Sequence, residues 1–316
     1  MLRRRSGIDN VQLSNPAWIR PVALSQLVAD RFLTGRAALV GDANHEFSSV
    51  AGQGLHFAIE DALNLGWKLA LTISGSAAPS LLQTYEMERR ERVEDVFRKT
   101  RFIGRMFKLT GKSAKVLWAT LYFVGKRFSS LSAVAAKQEG QLQTDYGKSP
   151  IVRQDSTQVT PLARAGLHAP DGACRAAGRP TRLLEIIRGP QADLLLFTGP
   201  APTSDTWSAL QEIEKGLAWL GEHLRVHFVC PSLACASDAG LGENDPKVIV
   251  DGLEKLQSVF GIRAPELVYI RPDGYIGFRT RTLQLQQLRN YLGQIYRSIE
   301  SDAVTIEFDE LTVRER

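Results

Sequence analysis

From its sequence the chain is expected to be an α/β protein in two parts, and the expectation rests on three features. A short apolar run, Arg36–Asp42, closes on Gly-Asp and leads through a loop into a long helical pattern over Gln53–Ile73. Between Gln138 and Pro170 the patterning lapses into Gly, Ser, Thr, Gln and Pro, the composition of a boundary between domains. Beyond it, strand-like and helix-like segments alternate as far as Ile299.

Taken in order, Arg36–Asp42 (Arg-Ala-Ala-Leu-Val-Gly-Asp) reads as a buried strand followed by a sharp turn. The loop Ala43–Gly52 is rich in small and polar residues. In Gln53–Ile73, Leu55, Ile59, Ala62, Leu65/Gly66 and Leu69 recur at three- and four-residue steps. Phe57, Leu63 and Trp67 are apolar too, so this helix is expected to be buried on most sides. Gly75-Ser-Ala-Ala-Pro79 ends it, and a second helix starts at Ser80 and runs to the region of Thr100. Its Glu86, Glu88, Arg89, Arg90, Glu91, Arg92, Glu94 and Asp95 read as a solvated face laced with i,i+4 pairs. More helix is expected through Lys137.

After the boundary, Arg182–Ile187 and Asp193–Phe197 read as strands, Trp207–Glu222 as a helix, Val226–Val229 as a strand and Pro246–Phe260 as a helix. Leu267–Ile270 and Tyr275–Arg279 flank Arg-Pro-Asp-Gly, a hairpin turn in which Gly274 takes the positive-φ position. Leu283–Ile299 is the last helix. A β-α-β-α-β-β-α order is that of a thioredoxin-like domain.

Composition narrows the function. With 316 residues, 44% hydrophobic and 23% charged, the chain has material for about two cores at ~150 residues each and is not a disordered scaffold. A net charge of +5 without a long basic run is too weak a field to imply nucleic acid, though it suits an acidic ligand or cofactor. Three cysteines, Cys174, Cys230 and Cys235, are too few and irregular for a disulfide framework, and no CxxC occurs. A reducing, cytoplasmic setting is the expectation. The five histidines form no HxxxH or HExxH, so no metal site is expected; His223 and His227 read as one surface and one sheet histidine. Met-Leu-Arg-Arg-Arg has no apolar stretch after it, unlike a secretory signal. Val116–Gly125 is uncharged but far short of the ~20 residues that span a bilayer, so no membrane segment is expected.

The strand–Gly-Asp–loop–helix unit is where chemistry can be argued. An acidic side chain at the end of a strand accepts a hydrogen bond from a sugar-like hydroxyl, and the glycine beside it lets the backbone approach the ligand. The helix start at Gly52-Gln53-Gly54 presents unpaired N–H groups and the positive dipole end, a seat for a carbonyl or an electron-rich ring. Asp42 and the amides of Leu55 and His56 would then grip two parts of one elongated cofactor. From these residues alone, a tight turn before a capped, buried helix is the plainer reading. His45 is a polar residue near the site that equally suits a loop histidine packing on the strand, and Arg36 suits a surface position.

The longer string carries more. Gly35-Arg-Ala-Ala-Leu-Val-Gly-Asp-Ala-Asn-His45, Ala51-Gly-Gln-Gly-Leu55, Glu60-Asp-Ala-Leu-Asn-Leu-Gly-Trp-Lys-Leu-Ala70 and Leu81-Leu-Gln-Thr-Tyr-Glu-Met-Glu-Arg-Arg90 together resemble the second FAD-binding motif of the class A flavoprotein aromatic hydroxylases. Ala169-Pro-Asp-Gly172, the strand around Leu194–Phe197 and Tyr269-Ile-Arg-Pro-Asp-Gly-Tyr-Ile-Gly-Phe278 are similar to the thioredoxin-like C-terminal domain of the phenol hydroxylase and polyketide hydroxylase branch. The resemblance implies the C-terminal part of an FAD-binding domain like that of para-hydroxybenzoate hydroxylase, mainly helical, over residues 1–145. A thioredoxin-like α/β domain over 160–300 and a tail over 301–316 would follow.

The same resemblance implies FAD as cofactor, NAD(P)H as co-substrate and an aromatic small molecule as substrate. Asp42 would bind the ribityl hydroxyls. The backbone of Gly54, Leu55 and His56 would face the flavin pyrimidine carbonyl, and Ser49 and Val50 would lie beside the isoalloxazine near the substrate. Gly41 and Gln53 complete the implied cofactor-binding set, while no catalytic residue is assigned. The implied chemistry is reduction of FAD, reaction with O₂ and hydroxyl transfer to an electron-rich ring, the protein orienting substrate and excluding water. The C-terminal domain, lacking CxxC, would have no redox role.

Some family features are missing from this sequence. The opening strand–GxGxxG–helix unit and the middle motif serving FAD and NAD(P)H do not occur in it, so the N-terminal half of such an enzyme is expected to lie outside it. Ser49 stands where the family usually has Pro, Ala51 and Ala58 where it has Gly, and His56 where it has Asn. The expected function is that of a truncated FAD-dependent monooxygenase. The alternative is a non-catalytic remnant or interaction protein, or one half of a split flavoenzyme, partnered by the missing N-terminal half or a second copy of the chain.

Overall fold

Short strands with few neighbours, clasped by two long helices, make up the N-terminal part. The structure is a computed structural model in which residues 15, 26–47, 54–107, 144–156, 159–237, 239–242 and 244–297 are described. Strand β1 (Leu27–Val28) pairs antiparallel with β4 (His45–Glu46), and β2 (Leu33–Thr34) with β3 (Ala37–Ala38). A 3-10 turn, Gly41–Ala43, lies between them. The buried strand expected over Arg36–Asp42 is therefore corrected: only Ala37–Ala38 is strand, and both residues are exposed. Among the described residues its partner is β2, across the Gly35 turn, and no sheet covers its faces. The sharp Gly-Asp turn at its end does form.

Helix α1 (Gly54–Ile73) buries Phe57, Asp61, Asn64, Leu65, Trp67, Lys68 and Leu71. Leu55, Ile59, Leu63, Leu69 and Ile73 are exposed, so burial on most sides is also corrected. The 3.6-residue period puts Phe57, Asp61, Asn64 and Lys68 on one face, and that polar face is the one packed against helix α2 (Ser80–Phe107). The solvated charged face expected on α2 is corrected too: Glu88 is only 5% exposed and Arg89 not at all. They are buried because each is surrounded by opposite charge, a condition under which ionised groups are tolerated inside. The peripheral Arg90–Glu86 contact is an i,i+4 pair, as expected. The helix expected as far as Lys137, and with it Val116–Gly125, lies outside the described residues.

The C-terminal part is an eight-stranded mixed sheet in the order β5-β12-β11-β8-β9-β10-β6-β7. The elements are β5 (Arg153–Gln154), β6 (Ala173–Ala176), β7 (Arg179–Arg182), α3 (Leu183–Ile186), β8 (Ala192–Phe197), α4 (Ser204–Gly216), β9 (Leu224–Cys230), α5 (Leu233–Ser237), β10 (Val248–Val250), α6 (Lys255–Phe260), β11 (Glu266–Ile270), β12 (Ile276–Thr280) and α7 (Leu285–Leu292). All six residues of β8 are buried, as suits a strand covered on both faces. Leu194 and Leu196 enter one core with Trp207, Leu210, Leu288 and Tyr291, whereas Leu195 and Phe197 enter the other with Leu256 and Phe260. Thr203 caps α4, its hydroxyl accepting from the Thr206 amide at 3.2 Å.

Several boundaries differ from expectation. Arg182–Ile187 is mostly helix α3, and the strands β6 and β7 precede it as a hairpin. Pro246–Phe260 divides into a strand, whose Val248-Ile-Val pairs parallel to β9, and the short helix α6; β-branched residues beside an open strand edge favour pairing over a helical turn. The helix expected over Trp207–Glu222 stops at Gly216 and continues as a 3-10 segment, Ala218–His223. The last helix is shorter than Leu283–Ile299. Gly274 takes φ +82°, as the Arg-Pro-Asp-Gly turn requires.

That turn is also what docks the sheet on the helices. Arg271 donates through Nη1 and Nη2 to the two oxygens of Glu88, at 2.7 and 3.0 Å. Glu88 accepts in addition from Asn64 Nδ2 (2.6 Å), Lys68 Nζ (2.8 Å) and Ser149 Oγ (2.6 Å). Asp273 accepts from Trp67 Nε1 at 3.1 Å. Burial pulls the Lys68 ammonium down to about 8 despite the Glu88 charge beside it. Burial works against Glu88 as well, but the Arg271 and Lys68 charges hold its carboxyl well below the usual carboxylate range.

Candidate functional site

Val40 is extended and Gly41 turns the chain at φ +63°. A Cβ at Gly41 would lie 3.0 Å from the Ala58 Cβ on α1, so glycine is needed both for the conformation and for the close approach. The turn closes through the Asn44 amide on the Gly41 carbonyl at 2.8 Å. The Gly41 amide donates to Asp61 Oδ2 at 3.0 Å. Asp61 also bonds His45 Nε2 through Oδ2 (2.6 Å) and receives Arg89 Nε on Oδ1 (2.6 Å). Burial opposes its ionisation, but the His45 hydrogen bond and the Arg89 charge prevail and hold its carboxyl below the usual range. From α2, the Tyr85 hydroxyl donates to the Leu39 carbonyl at 2.8 Å, and Glu86 accepts from the amides of Phe32 and Leu33.

On the outer side of this scaffold the Asp42 side chain is exposed and makes no hydrogen bond with the described residues. Its Oδ1 lies 3.9 Å from where a Cβ on Gly54 would sit. The turn and the start of α1 thus stand side by side, so Gly41, Asp42, Gly54, Leu55 and His56 are brought together; Leu55 and His56 are exposed there. Ser49, Val50 and Gln53 lie outside the described residues. His45 is 1% exposed and packs edge-on against Phe47 and Phe57, which makes it part of the scaffold, and Arg36 is exposed.

Asp61, Tyr85, Glu86 and Arg89 were not read as site residues from sequence. A usable signal was present: Asp61, Asn64 and Lys68 follow Phe57 at three- and four-residue steps, a polar stripe on the face with the aromatic anchor. A cavity of about 890 Å³ lined by Arg31, Leu33, Leu82, Glu86 and Arg90 includes none of the turn residues. Its Glu86 and Arg90 are engaged with each other and with the 29–33 backbone.

Chemically, the arrangement pairs a solvent-facing carboxylate, an acceptor for polyol hydroxyls, with the amino end of a 20-residue helix, a donor edge for a carbonyl. That donor set fits the ribityl chain and pyrimidine edge of a flavin. Among the described residues no cluster of His, Cys, Asp or Glu could hold a metal ion. Burial pushes the Cys174 thiol up to about 11 and Cys230 up to about 12, so both are inert core residues rather than redox groups.

Comparisons with known proteins bear on the same stretch of chain. Residues 1–100 match the family model described as FAD binding domain. A flavin-dependent monooxygenase of Mycobacteroides abscessus is 29% identical over 278 residues, covering 88% of this chain and 44% of that relative. The 12-dehydrotetracycline 5-monooxygenase/anhydrotetracycline 6-monooxygenase of Streptomyces rimosus is 46% identical over 84 residues, 27% of this chain and 17% of the relative. In fold, the chain is similar to CabE, an aromatic hydroxylase from angucycline biosynthesis, with a TM-score of 0.65 at 21% identity, covering 93% of this chain and 52% of that one. The chain is thus similar to flavin-dependent monooxygenases over most of its length, and its first 100 residues match an FAD binding domain. It spans about half the length of the relatives it matches most broadly.

Proposed function

We propose that this chain supplies the ribityl-binding turn and the C-terminal body of an FAD-dependent monooxygenase that hydroxylates an aromatic small molecule, using NAD(P)H and O₂. In this reading residues 1–145 belong to the FAD-binding domain, 160–300 form a thioredoxin-like domain and 301–316 a tail, in a cytoplasmic enzyme. The observation that carries it is the exposed Asp42 carboxylate beside the start of α1, on a turn gripped from beneath by two helices. FAD, when bound, would supply the redox chemistry of hydroxylation, with NAD(P)H as reductant and O₂ as oxidant, one oxygen atom going to the substrate ring and the other to water. The chain's own residues bind and orient. Asp42 would accept from the ribityl hydroxyls and the Leu55 and His56 amides would donate to the pyrimidine carbonyl, while the resemblance assigns Ser49 and Val50, outside the described residues, to the ring and the substrate. No helix among the described residues is long and apolar enough to cross a membrane.

A second observation bears on the partner. Leu55, Ile59 and Leu63, at successive four-residue steps, are 71%, 51% and 57% exposed, and Ile73 is 76% exposed. Apolar stripes of this kind mark interaction surfaces. They favour a reading in which the pyrophosphate-binding half of the flavin site packs on this face, in the same polypeptide or as the other half of a split flavoenzyme. A second copy of the chain is the rival occupant, and gel filtration with and without flavin separates the two.

Titration of FAD fluorescence tests the site. Asp42→Ala is expected to raise the dissociation constant about tenfold or more, the worth of a hydrogen bond to a charged group. Unchanged affinity would remove Asp42 from the site.

A further inference from the structure

Asp61 is 0% exposed, so it cannot touch a ligand, yet among the described residues two of its three hydrogen bonds go to the turn that carries Asp42. Oδ2 takes the Gly41 amide and His45 Nε2, residues that bracket Asp42 on either side, and Oδ1 takes Arg89 Nε from α2. Arg89 is itself fixed, donating to Glu60 Oε2 (2.8 Å), the Tyr146 hydroxyl (3.0 Å) and the Phe57 carbonyl (3.2 Å). Packing between α1 and α2 does not require this: an apolar side chain beside Ala58 would avoid the cost of desolvating two ions. What the carboxylate adds is direction. It is an acceptor at a fixed point for the amide of a residue at positive φ, and the orientation of that peptide sets where the next side chain points.

We propose that Asp61 is a positioning residue for the flavin-binding turn: its carboxylate, braced by Arg89, holds the Gly41 amide and thereby aims Asp42 at the start of α1. The proposal rests on the reading of Asp42 as a ribityl ligand. Asparagine at this position keeps the shape but offers one acceptor oxygen, and its amide group confronts one of the three donors. The turn then loses either Gly41 or its brace.

The test is a cycle of Asp42→Ala, Asp61→Asn and the double variant in the full chain, read by FAD titration and by hydrogen exchange of the Gly41 amide. Asp61→Asn is expected to speed Gly41 exchange and to raise the FAD dissociation constant, each by about 10- to 100-fold. In the Asp42→Ala background the same change is expected to have little further effect on FAD, because Asp61 acts through Asp42. An unrelated structural role predicts the full loss in both backgrounds, and that result would overturn the proposal, as would unchanged Gly41 exchange. Should Asp61→Asn fail to fold, Arg89→Lys removes the brace while keeping the charge and is expected to show the same dependence on Asp42. If the unaltered chain takes up no FAD, or Asp42→Ala changes nothing, the site reading falls and the proposal with it. Gly41 exchange would then still report whether Asp61 holds the turn.

Discussion

Glu88→Ala is expected to destabilise the chain by about 3–5 kcal/mol, the usual cost of removing one partner from a buried charge cluster. The loss is large because Glu88 lies between two buried cations and accepts from both: it receives Lys68, Arg271, Asn64 and Ser149 at once. Without it, Lys68 and Arg271 face each other with only Asp273 to offset them. Glu88 also links α2 to the β11–β12 turn, so chemical denaturation of the variant is expected to separate into two transitions, one for the helices and one for the sheet. A single transition with unchanged midpoint would refute this account.

The pH dependence of the same cluster follows from its two shifted groups. Glu88 titrates below its ordinary value in the folded chain. The unfolded state therefore binds more protons as pH falls through the usual carboxylate range, and stability present above that range is lost on acidification. Lys68 titrates at about 8 in the folded chain, against 10.5 as the ordinary value. Between those pH values the unfolded chain again holds the extra proton, so Lys68 contributes a rise in stability as pH increases. Lys68→Met is expected to flatten the alkaline limb and Glu88→Gln the acid one, as read by denaturant midpoints across pH.

A second large effect is expected at Arg279, which is buried in the sheet. Its guanidinium meets both oxygens of Glu266 (2.5 and 3.2 Å) and donates to the carbonyls of Ala163 and Phe260, both at 2.6 Å. Arg279→Met should cost about 3–5 kcal/mol, since among the described residues it leaves the buried Glu266 carboxylate with Ser156 Oγ at 2.7 Å and the half-buried Arg281 guanidinium, farther off at 3.6 Å. Adding Glu266→Leu removes the stranded charge, and the double variant is expected to recover ~1 kcal/mol or more. A double variant worse than the sum of the single changes would contradict the assignment of the cost to a buried ion deprived of its main partner.

The part of the site legible in the sequence was its local chemistry. Gly-Asp ahead of a glycine-led helix marked Asp42, Gly54, Leu55 and His56, and the structure places them side by side. The supporting layer was not legible, since the i,i+4 spacing of Glu86 and Arg90 is the same whether neighbouring Glu88 and Arg89 face water or a core. Glu88 is buried because Arg271, 183 residues away, arrives on a hairpin turn. Similarly, apolar spacing alone gave no means of choosing between the two faces of α1. The face with Phe57, Asp61, Asn64 and Lys68 turned inward because its polar groups find partners there, whereas the leucine stripe has none among the described residues.

Local signals thus account for the two long N-terminal helices, the alternation of the C-terminal half, the Arg-Pro-Asp-Gly turn and the Gly41–Asp42 corner, all of which depend on residues within a few positions of one another. Which charges are buried, which helix face is covered and how the turn is braced depend on pairings between segments 16 to 209 residues apart. A charge or an apolar side chain takes its environment from what packs against it, and only assembly of the chain supplies that.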